Sequence, residues 1–213
     1  MTTEDEKRIA AQASVDFVTD GMTVGLGTGS TVAYLLPALA ARHLDIRCVA
    51  TSPRTATAAA ALGLRVLDFS EVDRFDVAID GADQIAPDGW LIKGGGAAHT
   101  REKVVANAAD RFVVIADSSK PVAALHGSLP VELLAYGLTA TLRELRHVVL
   151  RDVPRSPDGG VIGDYHGDLS DPAALAARLS ATPGLVDHGL FPPSMVSDVL
   201  IARGVDVEHR VIG

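Results

Sequence analysis

Short apolar runs alternate with longer segments of helical periodicity through the first half of the chain. Apolar side chains recur at helical spacing over 3–18 and 31–42, and a compact apolar run follows each segment. Such runs, bounded by glycine and polar residues, are typical of buried strands. The strands predicted in this way are Met22–Leu26, Ile46–Ala50, Leu64–Leu67, Asp76–Asp80 and Phe112–Ala116. Their alternation with helices predicts an α/β fold, with a mostly parallel sheet covered by helices on both faces.

The pattern changes near Leu129, where the regular alternation ends. A stretch rich in proline, glycine and aspartate, 151–160, predicts a turn. The elements predicted around it are a helix and a strand within 131–150, a strand over 161–165, a helix over 172–179 and a strand over 185–190. We therefore predict a small α+β domain over 129–198, inserted into a main α/β domain made of 1–128 and 199–213.

Composition narrows the class of protein. The chain has 213 residues, of which 47% are hydrophobic, enough to bury a sizeable core. Its net charge of −8 argues against a nucleic-acid partner, because duplex binding needs clustered Lys and Arg. Cys48 is the only cysteine, so no intrachain disulfide can form. The acidic start is unlike a signal peptide and no apolar stretch approaches the ~20 residues that span a bilayer, which predicts a cytoplasmic protein without a membrane partner.

A glycine-rich segment, Gly25–Thr31, lies between a predicted strand and a predicted helix; we call it the N-terminal loop. A dinucleotide fingerprint would need glycine where Ser30 stands and an acidic residue after the second strand, and the sequence has neither. The loop could instead cradle one phosphate with its amides, its hydroxyls and the positive end of the helix. A plain strand-to-helix turn explains the glycines equally well.

Two carboxylates follow a buried apolar strand, in the sequence Asp80-Gly81-Ala82-Asp83. Either aspartate could be a helix N-cap, but one cap does not need both. Small residues between them would let a ligand approach the backbone. The pair therefore favours a site at the carboxyl end of the strand, where ligands bind to such sheets.

Lys93 precedes three consecutive glycines, Gly94–Gly96, which we call the glycine nest. Three glycines are entropically costly, so their conformations or open amides should be needed, and a neighbouring lysine would add positive charge for an oxyanion. A flexible surface loop is the alternative. Glu102 begins a helix soon afterwards and is either a helix-dipole carboxylate or a general base. Lys120 follows another buried strand and could reach a phosphate or lie in solvent.

Seven stretches occur in the order of one known family. They are Val24–Thr31, Asp80–Asp83, Leu91–Ala97, Thr100–Lys103, Phe112–Lys120, Leu129–Glu132 and Gly189–Phe191. On these motifs the chain resembles the ribose-5-phosphate isomerase A family over nearly its whole length. The resemblance implies interconversion of D-ribose 5-phosphate and D-ribulose 5-phosphate through an enediolate, in the non-oxidative branch of the pentose phosphate pathway. It also implies no metal and no nucleotide cofactor, a small-molecule substrate, and assembly as a homodimer or homotetramer.

The resemblance also assigns roles to residues. Glu102 is the implied proton-transferring base, and Asp80, Asp83 and Lys93 are implied to line the sugar; charge on the carbonyl oxygen could then be stabilised by Lys93 and the amides of Gly94–Gly96. Asp80 or Asp83 is the candidate for ring opening, and the sequence does not distinguish them. The substrate-binding residues implied are Thr28, Gly29, Ser30, Thr31, Asp80, Gly81, Ala82, Asp83, Lys93, Gly94, Gly95, Gly96 and Lys120.

Three positions depart from the family pattern. Gln84 stands where glutamate is usual, His99 stands where an aliphatic residue is common, and 163–167 is a looser match. A histidine near a sheet edge suggests an acid–base role, but a single exposed histidine is more often a bystander, and we expect that of His99. The rival function is a non-catalytic sugar-phosphate sensor, but such sensors normally carry a DNA-binding helix-turn-helix, and few residues precede the first predicted strand. An acyl-CoA transferase would need a second motif for coenzyme A, which we do not find.

Overall fold

The computed structural model describes residues 1–212, which divide into two compact units. Unit 1 contains 1–82, 101–120 and the C-terminal stretch from 193, and unit 2 contains 83–100 and 121–192. This division differs from the predicted boundaries chiefly because 83–100 groups with unit 2. The reason is strand pairing: a short strand in this stretch pairs with residues 190–191 of unit 2, a partner that local patterning does not reveal.

Unit 1 is built on one seven-stranded sheet. Its strands are β1 (Thr23–Leu26), β2 (Arg47–Ala50), β3 (Arg65–Val66), β4 (Val77–Gly81), β7 (Phe112–Asp117), β13 (Asp198–Arg203) and β14 (Asp206–Val211). They lie in the order β14-β13-β7-β4-β1-β2-β3, and only β14 is antiparallel to its neighbour. All six residues of β7 are buried, and alternate side chains face opposite sides of a sheet, so both faces are covered. The predicted α/β fold and its five strands are confirmed; β14 was not predicted.

Unit 1 has four α-helices in the described residues, and at least two of them begin at a capping side chain. They are α1 (Thr3–Ser14), α2 (Ser30–Ala40), α3 (Pro53–Ala61) and most of α4 (His99–Asn107), which starts in unit 2. Thr2 and Asp5 form a reciprocal capping box on α1, and Ser52 caps α3. The apolar faces of α1 and α2 pack on the sheet in one core cluster, which includes Leu35 and Ile79.

Unit 2 is α+β. Its strands are β5 (Gln84–Ile85), β6 (Leu91–Ile92), β8 (Leu129–Leu133), β9 (Val148–Leu150), β10 (Val161–Tyr165), β11 (Leu185–His188) and β12 (Leu190–Phe191), and its helices are α5 (Leu138–Leu145) and α6 (Pro172–Ser180). They form antiparallel sheets ordered β11-β8-β10-β9 and β12-β6-β5. Sequence patterning did not predict β8, whose five residues are all buried and include Pro130, an unusual residue for an interior strand.

The strand predicted over 185–190 is divided between the two sheets of unit 2. Gly189 separates β11 from β12, and a side chain there would overlap the carbonyl oxygen of Lys93. The glycine is therefore required by the close approach of two backbones, which cannot be read from local periodicity. No helix within residues 1–212 is both long enough and apolar enough to cross a membrane.

Candidate active site

The N-terminal loop joins β1 to α2 and is locked to a buried carboxylate. A side chain at Gly27 would overlap Asp80, so glycine is required there. Asp80 Oδ1 accepts hydrogen bonds from the amides of Thr28 (3.0 Å) and Gly81 (2.7 Å). Asp80 is only 3% exposed. The loop and the Asp80 carboxylate are thus held together at the carboxyl ends of β1 and β4.

The other end of the loop has the geometry of an anion cradle. Gly29 has a φ of 123° and, as N-cap, has no side chain with which to cap α2. The amides of the first turn, at Ser30 and Thr31, therefore lie at the positive end of the helix dipole. Thr28 Oγ1 lies 2.7 Å from Thr51 Oγ1, a hydroxyl that the sequence analysis did not single out. Its position directly after β2 was the available signal.

Glu102 lies in the first turn of α4 and is 4% exposed. A carboxylate that served only the helix dipole would gain as much from an exposed position, where charge costs little desolvation. The helix packs directly on β1, because a side chain at Gly25 would overlap Val105. This contact fixes the helix one turn after Glu102. A buried, rigidly held carboxylate is suited to proton transfer.

The carboxyl end of β7 contributes another acid and the predicted lysine. Asp117 is completely buried, and its Oδ1 accepts a hydrogen bond from Ser119 N at 2.9 Å. Its Oδ2 is buried and accepts no hydrogen bond within residues 1–212. Lys120 N donates to the Asp117 carbonyl (3.2 Å), and the Lys120 side chain is half-buried. The sequence analysis noted Asp117 only as part of a matching stretch.

In unit 2 the glycine nest and Ala97 form a tight turn with two left-handed residues. Gly94 has a φ of 103° and Ala97 a φ of 59°, and Ala97 N donates to the Gly94 carbonyl at 3.0 Å. Gly95 N donates to Asp83 Oδ2 at 2.7 Å. The predicted Asp83 and the nest are therefore neighbours, and glycine at position 94 is required by its dihedral angle. Gly95 and Gly96 are exposed.

Lys93 is 2% exposed at the end of β6. Its Nζ lies 5.4 Å from the centre of the Phe191 ring, within cation–π range. Its backbone N donates to the Gly189 carbonyl at 2.9 Å. The lysine is thus held by its backbone and by an aromatic face rather than extended into solvent, as the flexible-loop alternative would have it.

Arg151 is the principal residue of this region that sequence reasoning missed, because it falls at the start of the predicted turn 151–160. Its Nε and Nη2 donate to the two carboxylate oxygens of Asp164, both at 2.7 Å. Its Nη1 donates to the carbonyls of Gly94 (3.0 Å) and Gly95 (3.2 Å). The hydrogen bonds from Arg151 lower the pKa of Asp164, and Asp164 in turn raises the pKa of Arg151.

The expected exposure of His99 was wrong: the side chain is completely buried. A side chain added at Gly94 would lie 2.7 Å from His99 Nδ1, so the ring packs directly beneath the nest. His99 is the first residue of α4, and a histidine at the start of an apparently polar helix gave no sign of this packing.

Gln84 fills both hydrogen-bonding groups of one backbone residue. Its Nε2 donates to the His126 carbonyl (2.7 Å), and its Oε1 accepts from His126 N (3.0 Å). A carboxylate could accept from the amide but could not donate to the carbonyl. Glutamine in place of the glutamate usual in the family therefore fixes the backbone at His126, just before β8.

Glu132, on β8, joins the start of α4 to the turn before β10. It is 2% exposed, and its two oxygens accept hydrogen bonds from the hydroxyls of Thr100 and Ser156. A side chain at Gly160 would overlap it. The residue anchors the first turn of α4, the helix that carries Glu102.

The predicted site residues are divided between the units. Unit 1 holds Thr28–Thr31, Asp80–Ala82, Glu102 and Lys120, and unit 2 holds Asp83 and Lys93–Gly96. Among residues 1–212, no three His, Cys, Asp or Glu side chains are grouped so that they could hold a metal ion. The chemistry offered is that of buried carboxylates, one buried lysine, hydroxyls and backbone amides.

Most of the chain is similar to known proteins of one family. Residues 47–205 match the model of the family Ribose 5-phosphate isomerase A (phosphoriboisomerase A). The Ribose-5-phosphate isomerase A of Caulobacter sp. (strain K31) is 45% identical, with 90% of this chain and 91% of that protein covered. A crystal structure of ribose 5 phosphate isomerase A from Neisseria gonorrhoeae superposes with a TM-score of 0.94 at 32% identity, covering 100% and 98% of the two chains.

A second similar solved structure is that of a complex. It is D-Ribose-5-Phosphate Isomerase in complex with phospho-erythronic acid, which superposes with a TM-score of 0.92 at 32% identity over 99% of this chain and 100% of that one. The family model, the sequence relatives and the solved structures all agree with the motifs identified from the sequence. The chain belongs to the ribose 5-phosphate isomerase A family.

Proposed function

We propose that the protein interconverts D-ribose 5-phosphate and D-ribulose 5-phosphate, with Glu102 as the single base. The aldose and the ketose differ by two hydrogens, a carbon-bound one that moves from C2 to C1 and a hydroxyl one that moves from O2 to O1. Glu102 removes the C2 proton of open-chain ribose 5-phosphate, which gives an enediolate, and returns the proton to C1, while the O2 hydroxyl proton passes to O1. The observation that carries this assignment is the near-complete burial of Glu102, at 4% exposure, in the first turn of a helix packed on β1.

Charge that develops on the substrate oxygen needs a donor. Lys93, 2% exposed, and the amides of the glycine nest are proposed to stabilise the enediolate oxygen. Preorganised donors of this kind typically lower a barrier by ~3–4 kcal/mol each. The cyclic sugar opens first, and Asp80 or Asp83 relays the proton. Asp80 is buried with Oδ1 fixed by two amides, whereas Asp83 is exposed, so replacing each by asparagine and measuring activity on the cyclic substrate will decide between them.

The phosphate is proposed to bind the N-terminal loop and Lys120. The first-turn amides of α2, the hydroxyls of Ser30 and Thr31, and the Lys120 ammonium supply the donors. A dianionic phosphate at the start of a helix is favoured by the helix dipole as well as by hydrogen bonds.

We further propose that the reaction needs neither a metal nor a nucleotide and takes place in the cytoplasm. We propose assembly as a homodimer or homotetramer, which agrees with apolar side chains that unit 2 exposes, such as Tyr136 (92%) and Leu134 (49%). Light scattering on the purified protein tests the assembly. The non-catalytic sensor reading is not favoured, since the relatives are named isomerases.

The test of function is direct. Purified protein is mixed with ribose 5-phosphate and EDTA, and ribulose 5-phosphate is measured over time. We expect turnover that EDTA does not change. Activity lost to EDTA and restored by a divalent ion would contradict the metal-free mechanism, and absence of turnover with tight sugar-phosphate binding would favour the sensor.

A further inference from the structure

We propose that Arg151 is a positioning residue that orients the peptide groups of the glycine nest toward the reacting oxygens. The inference rests on the proposed function, because it concerns how the enediolate is stabilised. It adds a residue, with its anchor Asp164, that no motif in the sequence identified.

Peptide geometry sets the direction of the N–H groups in the nest. In a trans peptide the carbonyl of one residue and the N–H of the next point in opposite directions. Arg151 Nη1 holds the carbonyls of Gly94 (3.0 Å) and Gly95 (3.2 Å). The N–H groups of Gly95 and Gly96 are therefore both directed away from Arg151.

These two N–H groups have different uses. Gly95 N–H donates to Asp83 Oδ2 at 2.7 Å, which fixes the aspartate. Gly96 belongs to the second peptide that Arg151 orients, and Gly96 is exposed. We infer that the Gly96 amide is the oxyanion donor of the nest, while the Gly95 amide sets the position of Asp83.

The electrostatics support the same role. Asp164 holds the guanidinium by a bidentate pair, with both donor–acceptor distances at 2.7 Å, and raises the pKa of Arg151. Asp83 also raises the pKa of Arg151 through its charge. A fixed cation on the two carbonyls polarises their peptide groups and strengthens the opposite N–H donors.

An ion pair serving only the fold of the hairpin would need Asp164 alone. Arg151 makes two hydrogen bonds to Asp164 and two more to nest carbonyls, which lie 57 and 56 residues earlier in the chain. A lysine could not make the bidentate pair and both carbonyl contacts together, because these need the planar fork of guanidinium. This makes Arg151→Lys an informative change, since charge and much of the side-chain volume are kept.

The experiment compares Arg151→Lys and Asp164→Asn with the matched control Arg155→Lys, an exposed arginine four residues away. We expect kcat of Arg151→Lys to fall ~10–100-fold, since misorienting an oxyanion donor loses part of the ~10²–10³-fold that deleting one costs. The KM for ribose 5-phosphate should stay within about threefold, since the phosphate contacts are unchanged. The kcat of Asp164→Asn should also fall, but by a smaller factor. The kcat and KM of Arg155→Lys should match those of the wild type.

Two further measurements separate positioning from general destabilisation. Phospho-erythronic acid has a planar carboxylate whose negative charge lies on its oxygens, and the planar enediolate likewise carries negative charge on oxygen, so the affinity for this acid should fall in parallel with kcat/KM. Hydrogen exchange at the Gly95 amide should accelerate in Arg151→Lys and stay unchanged in Arg155→Lys. A folded Arg151→Lys protein with normal kcat and normal analogue affinity overturns the proposal, as does unchanged Gly95 exchange.

The exchange measurement also keeps this inference separate from the proposed function. If the wild type fails to turn over ribose 5-phosphate, the isomerase assignment fails, while the Gly95 exchange rates still decide whether Arg151 orients the nest. If Arg151→Lys unfolds, the test uses Asp164→Asn, which keeps the arginine, and the same two measurements, Gly95 hydrogen exchange and kcat. An Asp164→Asn protein with the exchange rate and kcat of the wild type would overturn the proposal.

Discussion

The N-terminal loop and the glycine nest both use glycine, but for different physical reasons. In the loop, Gly25 and Gly27 are needed because the side chains of Val105 and Asp80 occupy the space a β-carbon would fill. In the nest, Gly94 is needed because its φ of 103° lies in the left-handed region, with His99 packed beneath it. The first is a requirement of space, and the second is largely one of backbone conformation.

The two segments also differ in what holds them. The loop runs from a strand directly into a helix, so the first-turn amides at Ser30 and Thr31 are oriented by the helix, while Asp80 holds only the Thr28 amide. The nest follows the two-residue strand β6, and its peptide groups are held by Arg151 and Asp83 side chains. A strand–helix junction can therefore serve a phosphate by itself, whereas an oxyanion nest depends on side chains from elsewhere in the sequence. We expect changes near the loop to alter KM and changes in the nest to alter kcat.

The largest fall in kcat is expected from removing the proposed base, Glu102, which leaves both the loop and the nest unchanged. Glu102→Gln keeps size and location but removes the basic lone pair, and we expect kcat to fall ~10⁴-fold or more, the upper range for a general base. KM should change little. The measurement is kcat together with thermal unfolding, with the exposed Glu144→Gln on α5 as control.

If Glu102 served only the helix dipole, Glu102→Gln would lose ~0.3–1 kcal/mol of unfolding free energy and keep nearly normal turnover. A folded Glu102→Gln protein that keeps more than a tenth of the wild-type kcat would remove Glu102 as the base, and Asp80 and Asp83 would be tested next.

Lys120→Ala tests the phosphate side of the comparison. Loss of one charge-assisted hydrogen bond, worth ~1.5–3 kcal/mol, should raise KM ~10–100-fold and change kcat much less, because ground and transition states lose the same contact. The measurement is the pair kcat and KM, with Arg54→Ala, an exposed cation of α3, as control. A large fall in kcat with unchanged KM would show that Lys120 is misassigned.

Gly94→Ala tests the nest side. The left-handed backbone costs of order 1–3 kcal/mol for alanine, and the added methyl meets His99, so the turn should shift. We expect kcat to fall ~10-fold with KM for ribose 5-phosphate nearly unchanged. Gly137→Ala is the control, because Gly137 also has a positive φ (69°) but an added β-carbon there meets nothing within 4 Å. If the two variants lose activity equally, the nest has no special role.

This contrast explains how much the sequence could reveal. The strands of unit 1, the N-terminal loop and the Asp80–Asp83 segment were predictable, because buried parallel strands and the polar residues after them are local signals. Strand β8 was not, since Pro130 is an unusual residue for an interior strand. Arg151, the burial of His99 and the contact of Glu132 with Thr100 were also missed. Each depends on partners distant in sequence or on packing that one side chain's chemistry does not indicate.

Gln84→Glu tests whether a family-typical residue fits this chain. The carboxylate cannot donate to the His126 carbonyl, and leaving that group without its donor should cost about 1 kcal/mol of unfolding free energy. Turnover should stay within about twofold, because the amide is turned toward His126 rather than toward the nest. Chemical denaturation and kcat are the measurements. A rise in kcat without loss of stability would place Gln84 in the catalytic site after all.

The smallest effect is expected far from both segments, at Glu6 on α1. Its carboxylate accepts hydrogen bonds from the amides of Ser118 (3.0 Å) and Gly204 (2.8 Å) and from the Ser118 hydroxyl (2.6 Å). The Gly204 hydrogen bond and those of Ser118 lower the pKa of Glu6 from 4.5 to about 2.

Because the folded-state pKa of Glu6 is depressed, the stabilisation is present above pH 4.5 and is lost as pH falls toward about 2. We expect Glu6→Gln to lower Tm slightly at pH 7, and the difference from wild type to shrink steadily below pH 4.5. Melting curves between pH 7 and pH 3 measure it, with Glu144→Gln again as control. A Tm difference that is independent of pH would mean that the carboxylate charge contributes nothing and that only the shape of the side chain matters at this position.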